Sequence, residues 1–160
     1  MNEANEVLRR YRWNGSLPID VFAIASDYAL VVGQELKAEG ISGKCYASHT
    51  ENHGKPLIVY DREAAPNLQR FTVAHELGHI TLNHGHAFSD PVKNFNRRNL
   101  DRKESEANQF AAELLMPMVA IEYYLGEKRE YSFERLSQLF GVSQMAVKIR
   151  LQDLGFAVFL

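Results

Sequence analysis

The chain has 160 residues, 46% apolar and 24% charged, and a formal net charge of −2. That balance fits one ordinary globular domain with a real core, and it excludes a protein held to nucleic acid or anionic membrane by bulk charge. A single cysteine, Cys45, rules out an internal disulfide, the opening MNEANEVLRRYRW lacks the apolar core of a signal peptide, and no run reaches membrane-spanning length, so the expected location is the cytoplasm.

There is no internal repeat and no low-complexity tract. Residues 2–12 can start a helix, and PIDVFAIASDYAL (18–30) has amphipathic spacing with Asp20 as a cap. Three β-like runs follow: ALVVGQEL (29–36), KCYASH (44–49) and PLIVYD (56–61). Asn52, Gly54 and Pro56 punctuate the last gap and suggest a hairpin or meander. Proline at 66 and glycine at 85 bracket a helix running to about Asn83. Residues 85–101 have no clean period and read as a long loop, of the kind that often serves as a lid or binding segment. A second strong helix covers roughly 101–116 and stops at Pro117, and a short one, VAIEYYL, leads to Gly126. Residues 132–155 read as helix, a tight Gly141–Val142–Ser143 turn, and helix.

The helix over 66–83 contains TVAHELGHITLNH, with His75, Glu76 and His79 in the order H-E-x-x-H. At about 100° per residue the two histidines lie about 40° apart, with Glu76 about 60° from His79. Val73, Leu77 and Ile80 fall on another face suited to packing. Two imidazoles one turn apart, with a carboxylate beside them, are what a catalytic zinc helix needs. Such a site takes a third protein ligand and leaves the fourth position to water. The extended H-E-x-x-H-x-x-G-x-x-H pattern would require glycine at 82 and histidine at 85, but the chain has Leu82 and Gly85. His84 and His86 sit one place to either side and read as surface or substrate-facing residues rather than ligands.

The third ligand is sought in KESEANQFAAELLMP (103–117). On that helix Glu104 shares a face with Asn108, Ala111 and Leu115, each within about 40° of it. A carboxylate on a face of small and apolar residues needs a charge partner, and zinc is a good one. Glu106 groups instead with Arg102, Gln109 and Glu113 on a solvated face. Geometry thus favours Glu104 over Glu106, although a helix-starting glutamate also suits the dipole. Asn108, one turn on, can hydrogen-bond a ligand. With zinc held by His75, His79 and Glu104, Glu76 would act as general base on water and pass the proton to the leaving amine. Tyr46, Tyr60, Tyr123, Tyr124, His84 and His86 are all chemically able to steady the oxyanion.

Taken together, FTVAHELGHITLNH and ESEANQFAAELLMP make the chain resemble the ImmA/IrrE family of zinc metallo-endopeptidases, and PLIVYD and LFGVSQMAVKIRLQDLGF add to the likeness, which covers most of residues 18–155. The resemblance implies Zn2+ bound by His75, His79 and a glutamate of the E-x-E-A-N segment, which leaves Glu104 and Glu106 both open. It implies Glu76 as the catalytic glutamate and site-specific cleavage of a partner transcriptional repressor, usually of the helix-turn-helix type, in phage or mobile-element induction, stress responses or toxin–antitoxin-like pairs. The expected fold is α+β: a zincin-like core, residues 1–126, with about three strands packed on the helices carrying HExxH and ExEAN. A helix-turn-helix-like module, residues 127–160, would pack on it.

That module offers Gln144, Lys148 and Arg150 to a DNA groove. Yet from Glu127 onward the basic Lys128, Arg129, Arg135, Lys148 and Arg150 are nearly matched by Glu127, Glu130, Glu134 and Asp153, a thin footprint for holding phosphates. DNA binding is therefore less expected than packing on the core or docking a repressor. The competing function is a non-catalytic regulator that binds DNA or a repressor, with zinc as structural glue. An extended substrate could add to a sheet edge, and PLIVYD is either that edge or a central strand.

Overall fold

The computed structural model describes residues 2–49, 53–89 and 101–156. Asn52 and the 90–100 part of the expected loop lie outside the described residues. Helix α1 (Glu3–Tyr11) is capped by Asn2, whose side chain accepts the Asn5 N–H at 2.7 Å. Helix α2 (Val21–Ser26) is shorter than its amphipathic pattern suggests, and Asp20 caps it by accepting the Ala23 N–H at 3.1 Å.

The class is α+β as expected, but the sheet has four strands rather than three. β1 (Leu30–Gln34), β2 (Gly43–His49) and β3 (Lys55–Asp61) match the three β-like runs. β4 (Ala87–Ser89) arises inside the stretch read as loop, because three residues are too few to carry an alternating pattern. The order is β1-β3-β2-β4. β2 and β3 form the expected antiparallel pair, but β1 lies parallel to β3, so the first three strands are not a meander. β3 is therefore central, consistent with its near-continuous apolar run and with Ile58 and Val59 buried. PLIVYD is not the edge; β4 ends the sheet on one side and β1 on the other.

Helix α3 (Pro66–Thr81) starts with proline at its first turn and lies across the sheet, packed on β2 and β3, with α2 beside it. Its other flank meets α4 (Arg102–Leu115), which presents Ala107, Phe110, Ala111 and Leu114. Every residue of α3 from Phe71 to His79 is buried. The expected division into a packing face and a site face thus becomes two interior faces. Close approach is achieved by absent side chains. A Cβ at Gly78 would lie 3.0 Å from the Phe110 ring, and one at Gly43 only 2.3 Å from Thr72 Cγ2 and 3.2 Å from the Val59 carbonyl.

After Pro117 come α5 (Met118–Glu122), a π-helical turn over Tyr123–Glu127, α6 (Phe133–Phe140) and α7 (Gln144–Asp153). The α6–α7 turn rests on the first turns of α3. Arg70 donates to the carbonyls of Gly141 and Phe140 at 3.0 and 3.3 Å, and Asn67 to that of Val142 at 3.2 Å. Arg150, offered above to a DNA groove, is instead 4% exposed, and its Nε donates to the Met116 carbonyl at 3.1 Å. Its position among Ala146, Val147 and Leu151 on the buried side of α7 turns it inward, where it ties α7 to the end of α4.

Gly43→Ala is expected to destabilise the fold by about 1–3 kcal/mol, because the added methyl meets a buried β-branched side chain and a backbone carbonyl. Gly126→Ala, where a Cβ meets nothing within 4 Å, serves as the control and is expected to be neutral or stabilising. Denaturant midpoints that move equally for both would contradict the packing described.

Candidate metal centre and active site

His75 and His79, one turn apart on α3, point to the α4 side and are 0% and 1% exposed. Glu104 enters from the first turn of α4. Its Oε2 lies 2.9 Å from His75 Nε2 and its Oε1 3.0 Å from His79 Nε2, while the two Nε2 atoms are 3.1 Å apart. One ligand atom from each of the three falls within 4.8 Å of the others, a group able to hold a metal ion. Glu106, on the same helix, does not reach these imidazoles. It contacts His84 Nε2 at 2.8 Å and Arg102 Nε at 2.8 Å. The contact between α3 and α4 that Gly78 permits is what carries Glu104 to the histidines.

The donor chemistry fits a cation. His75 Nδ1 lies 2.7 Å from the Asn108 amide oxygen, which can only accept, so the ring proton sits on Nδ1 and Nε2 presents a lone pair. Burial holds this imidazole below its usual pKa, hence neutral. A neutral nitrogen lone pair and a carboxylate oxygen facing each other at 2.9 Å are complementary to a positive ion placed between them.

Glu76 projects toward the sheet. It is 0% exposed, and neither of its oxygens has a hydrogen-bond partner among the described residues. Burial pushes its pKa up to about 8; the Cys45 thiol pulls the other way, and the Glu104 charge adds to the rise. An uncompensated buried carboxylate is costly unless a cation stands near it, and an ion held by His75, His79 and Glu104 would be that cation. Gly43 of β2 lets the strand approach this carboxylate: a Cβ there would sit 3.2 Å from Glu76 Oε1. Burial likewise pushes the Cys45 thiol up, so Cys45 is a packed neutral group here and not a nucleophile.

Ser89, at the end of β4, was not singled out by any sequence signal, because it sits in a stretch without period. Its hydroxyl donates to Glu104 Oε1 at 3.2 Å and lies 3.4 Å from His79 Nε2, fully inside the site. The strand pairing Gly43↔Ser89 sets it there. Of the six groups able to steady an oxyanion, Tyr60 packs edge-on against Phe22, and Tyr123 and Tyr124 pair on the π-helical turn, with Tyr124 against Phe140. Tyr46 and His86 lie with Phe88 on β2, β4 and the turn before it, and His86 Nδ1 accepts the Ala47 N–H at 3.0 Å. His84 does not lie on the surface: its side chain is 6% exposed, and its Nδ1 lies 2.8 Å from His79 Nδ1.

No helix among the described residues is long and apolar enough to cross a membrane. No curated protein matches the chain. The family profile described as Peptidase_M78, the IrrE N-terminal-like domain, matches residues 25–152, a span that includes all four strands, α3 with its two histidines, α4 with Glu104 and nearly all of α7. The chain therefore belongs to the ImmA/IrrE-type metallopeptidases of that family.

Proposed function

We propose that this protein is a cytoplasmic zinc endopeptidase that cleaves a partner transcriptional repressor of the helix-turn-helix type and so relieves repression in a phage, mobile-element, stress or toxin–antitoxin-like setting. The observation that carries the catalytic reading is Glu76, a fully buried carboxylate without a hydrogen-bond partner, one residue from His75 on the helix that also bears His79. A purely structural metal has no need of such a group, which weighs against the reading as a non-catalytic regulator. The substrate class rests on the resemblance to ImmA/IrrE proteins.

In this reading His75, His79 and Glu104 hold the metal ion, which when bound supplies Lewis acidity toward the scissile carbonyl and acidifies water. Glu76 takes a proton from the attacking water and returns it to the leaving amine. Asn108 keeps the His75 ring in one tautomer, and Ser89 orients Glu104. An extended substrate segment adds along β4, the sheet-end strand whose Ser89 touches the site, and Tyr46 and His86, on β2 and the turn before β4, are the donors beside that strand that would steady the oxyanion. Residues 1–126 are the catalytic domain and 127–160 the C-terminal module, whose helices α6 and α7 brace α3 through the turn between them rather than read DNA, since Arg150 is turned inward.

Glu76→Gln is expected to lower repressor cleavage by about 10²–10⁴-fold while leaving the fold intact, as read by mass spectrometry of co-incubated repressor and by circular dichroism. Cleavage at the wild-type rate would contradict the role given to Glu76. Chelation is expected to abolish cleavage and zinc to restore it. Zinc at about 100 times its Kd should raise stability by about 2.7 kcal/mol in the wild type, and this gain should vanish in His79→Ala.

A further inference from the structure

The end of α3 is not a passive terminus. Asn83 takes a left-handed conformation, φ 58°, which asparagine tolerates. The His84 N–H then bonds the His79 carbonyl at 2.8 Å, and the Asn83 N–H that of Ile80 at 3.2 Å, the six-to-one and five-to-two pair of a Schellman cap. The backbone thereby folds back by one turn and lays the His84 ring against the outward edge of His79, Nδ1 to Nδ1 at 2.8 Å. Lys103 Nζ holds the His84 carbonyl at 3.2 Å from the α4 side.

The far nitrogen of His84 meets Glu106 Oε2 at 2.8 Å, and Glu106 Oε1 accepts from Arg102 Nε at 2.8 Å. A carboxylate clamped by a guanidinium can only accept, so His84 Nε2 carries its proton and, in the neutral ring, His84 Nδ1 is left as an acceptor. The proton between the two rings must then belong to His79 Nδ1. That frees His79 Nε2, the atom 3.0 Å from Glu104 Oε1 and 3.1 Å from His75 Nε2, to present a lone pair. One of the two imidazoles is thus oriented by a neutral amide, Asn108, and the other by a charged relay two residues long.

We infer that His84 and Glu106 are positioning residues: they form a carboxylate–imidazole relay that fixes the His79 tautomer and strengthens metal binding at His75, His79 and Glu104. This rests on the metal-centre reading above but assigns a use to two residues which that reading leaves idle. Outer partners of metal-bound imidazoles raise ligand basicity and orient the ring, and their loss typically weakens metal binding by about 10–100-fold.

The test has two readouts. Nitrogen-15 NMR of the histidine-labelled, metal-free protein reports which ring nitrogen of His79 is protonated. Competition with a chromophoric chelator reports Zn2+ affinity. In the wild type, His79 is expected to carry its proton on Nδ1. His84→Leu should lose that preference and bind Zn2+ about 10–100-fold more weakly. His84→Gln should recover most of the affinity, since an amide can accept from His79 and donate to Glu106. Glu106→Gln removes the group that sets the direction of the relay, at a side chain 39% exposed where folding is not at stake, and should mix the His79 tautomers. It carries the test even if His84→Leu does not fold. Wild-type Zn2+ affinity in both His84→Leu and Glu106→Gln, or an Nε2-protonated His79 in the wild type, would overturn the inference. The tautomer measurement needs no metal, so a wild type that bound no Zn2+ would refute the metal centre and still leave the relay to be decided by NMR.

Discussion

Electron-pair donors aimed at one another inside a protein core are the constraint around which the rest of this molecule is arranged. His75, His79 and Glu104 meet within hydrogen-bond distances, with His75 and His79 fully buried, and beside them lies the buried Glu76 carboxyl, whose oxygens have no hydrogen-bond partner among the described residues. None of this is stable by its own chemistry, because like-signed electron density without an intervening proton or cation repels. The fold supplies the enclosure: sheet on one flank of α3, α4 on the other, and the α6–α7 turn tied to its first turns through Arg70 and Asn67. A cation is the one component of matching charge.

Close approach does much of the positioning. Gly78 lets α4 come near enough to α3 for Glu104 to reach two imidazoles, and Gly43 lets β2 come near enough for Ser89, paired to it in β4, to touch Glu104. Both glycines act by lacking a side chain rather than by an unusual backbone conformation. Glu104 and Glu106, two positions apart on one helix, end in different roles for the same reason: about 200° of helical rotation sends one toward α3 and the other toward the loop that follows it.

The histidine pair and Glu76 were legible because helical spacing alone brings them together, and Glu104 was preferred because Ala111 and Leu115, two and three turns on, make its face small and apolar. Asn108 followed from the same face. β4 was not legible, since three residues have no measurable period, and Ser89 went with it. The parallel pairing of β1 with β3 depends on a crossover that strand patterns do not encode. His84, read as a surface or substrate-facing histidine, has its side chain turned inward, because its burial comes from the turn at Asn83, a backbone event that no count along a helix anticipates. Arg150 was misread in the opposite direction: a basic residue in a helix-turn-helix pattern faces inward to hold a carbonyl at the end of α4.

X-ray absorption at the zinc edge of the stoichiometric zinc complex tests the central claim most directly, because it counts ligands by atom type. Two imidazoles at about 2.0–2.1 Å, with the remaining scatterers oxygen, is the result this structure predicts. A sulfur scatterer at about 2.3 Å, which would bring in Cys45, or a single imidazole, would contradict it.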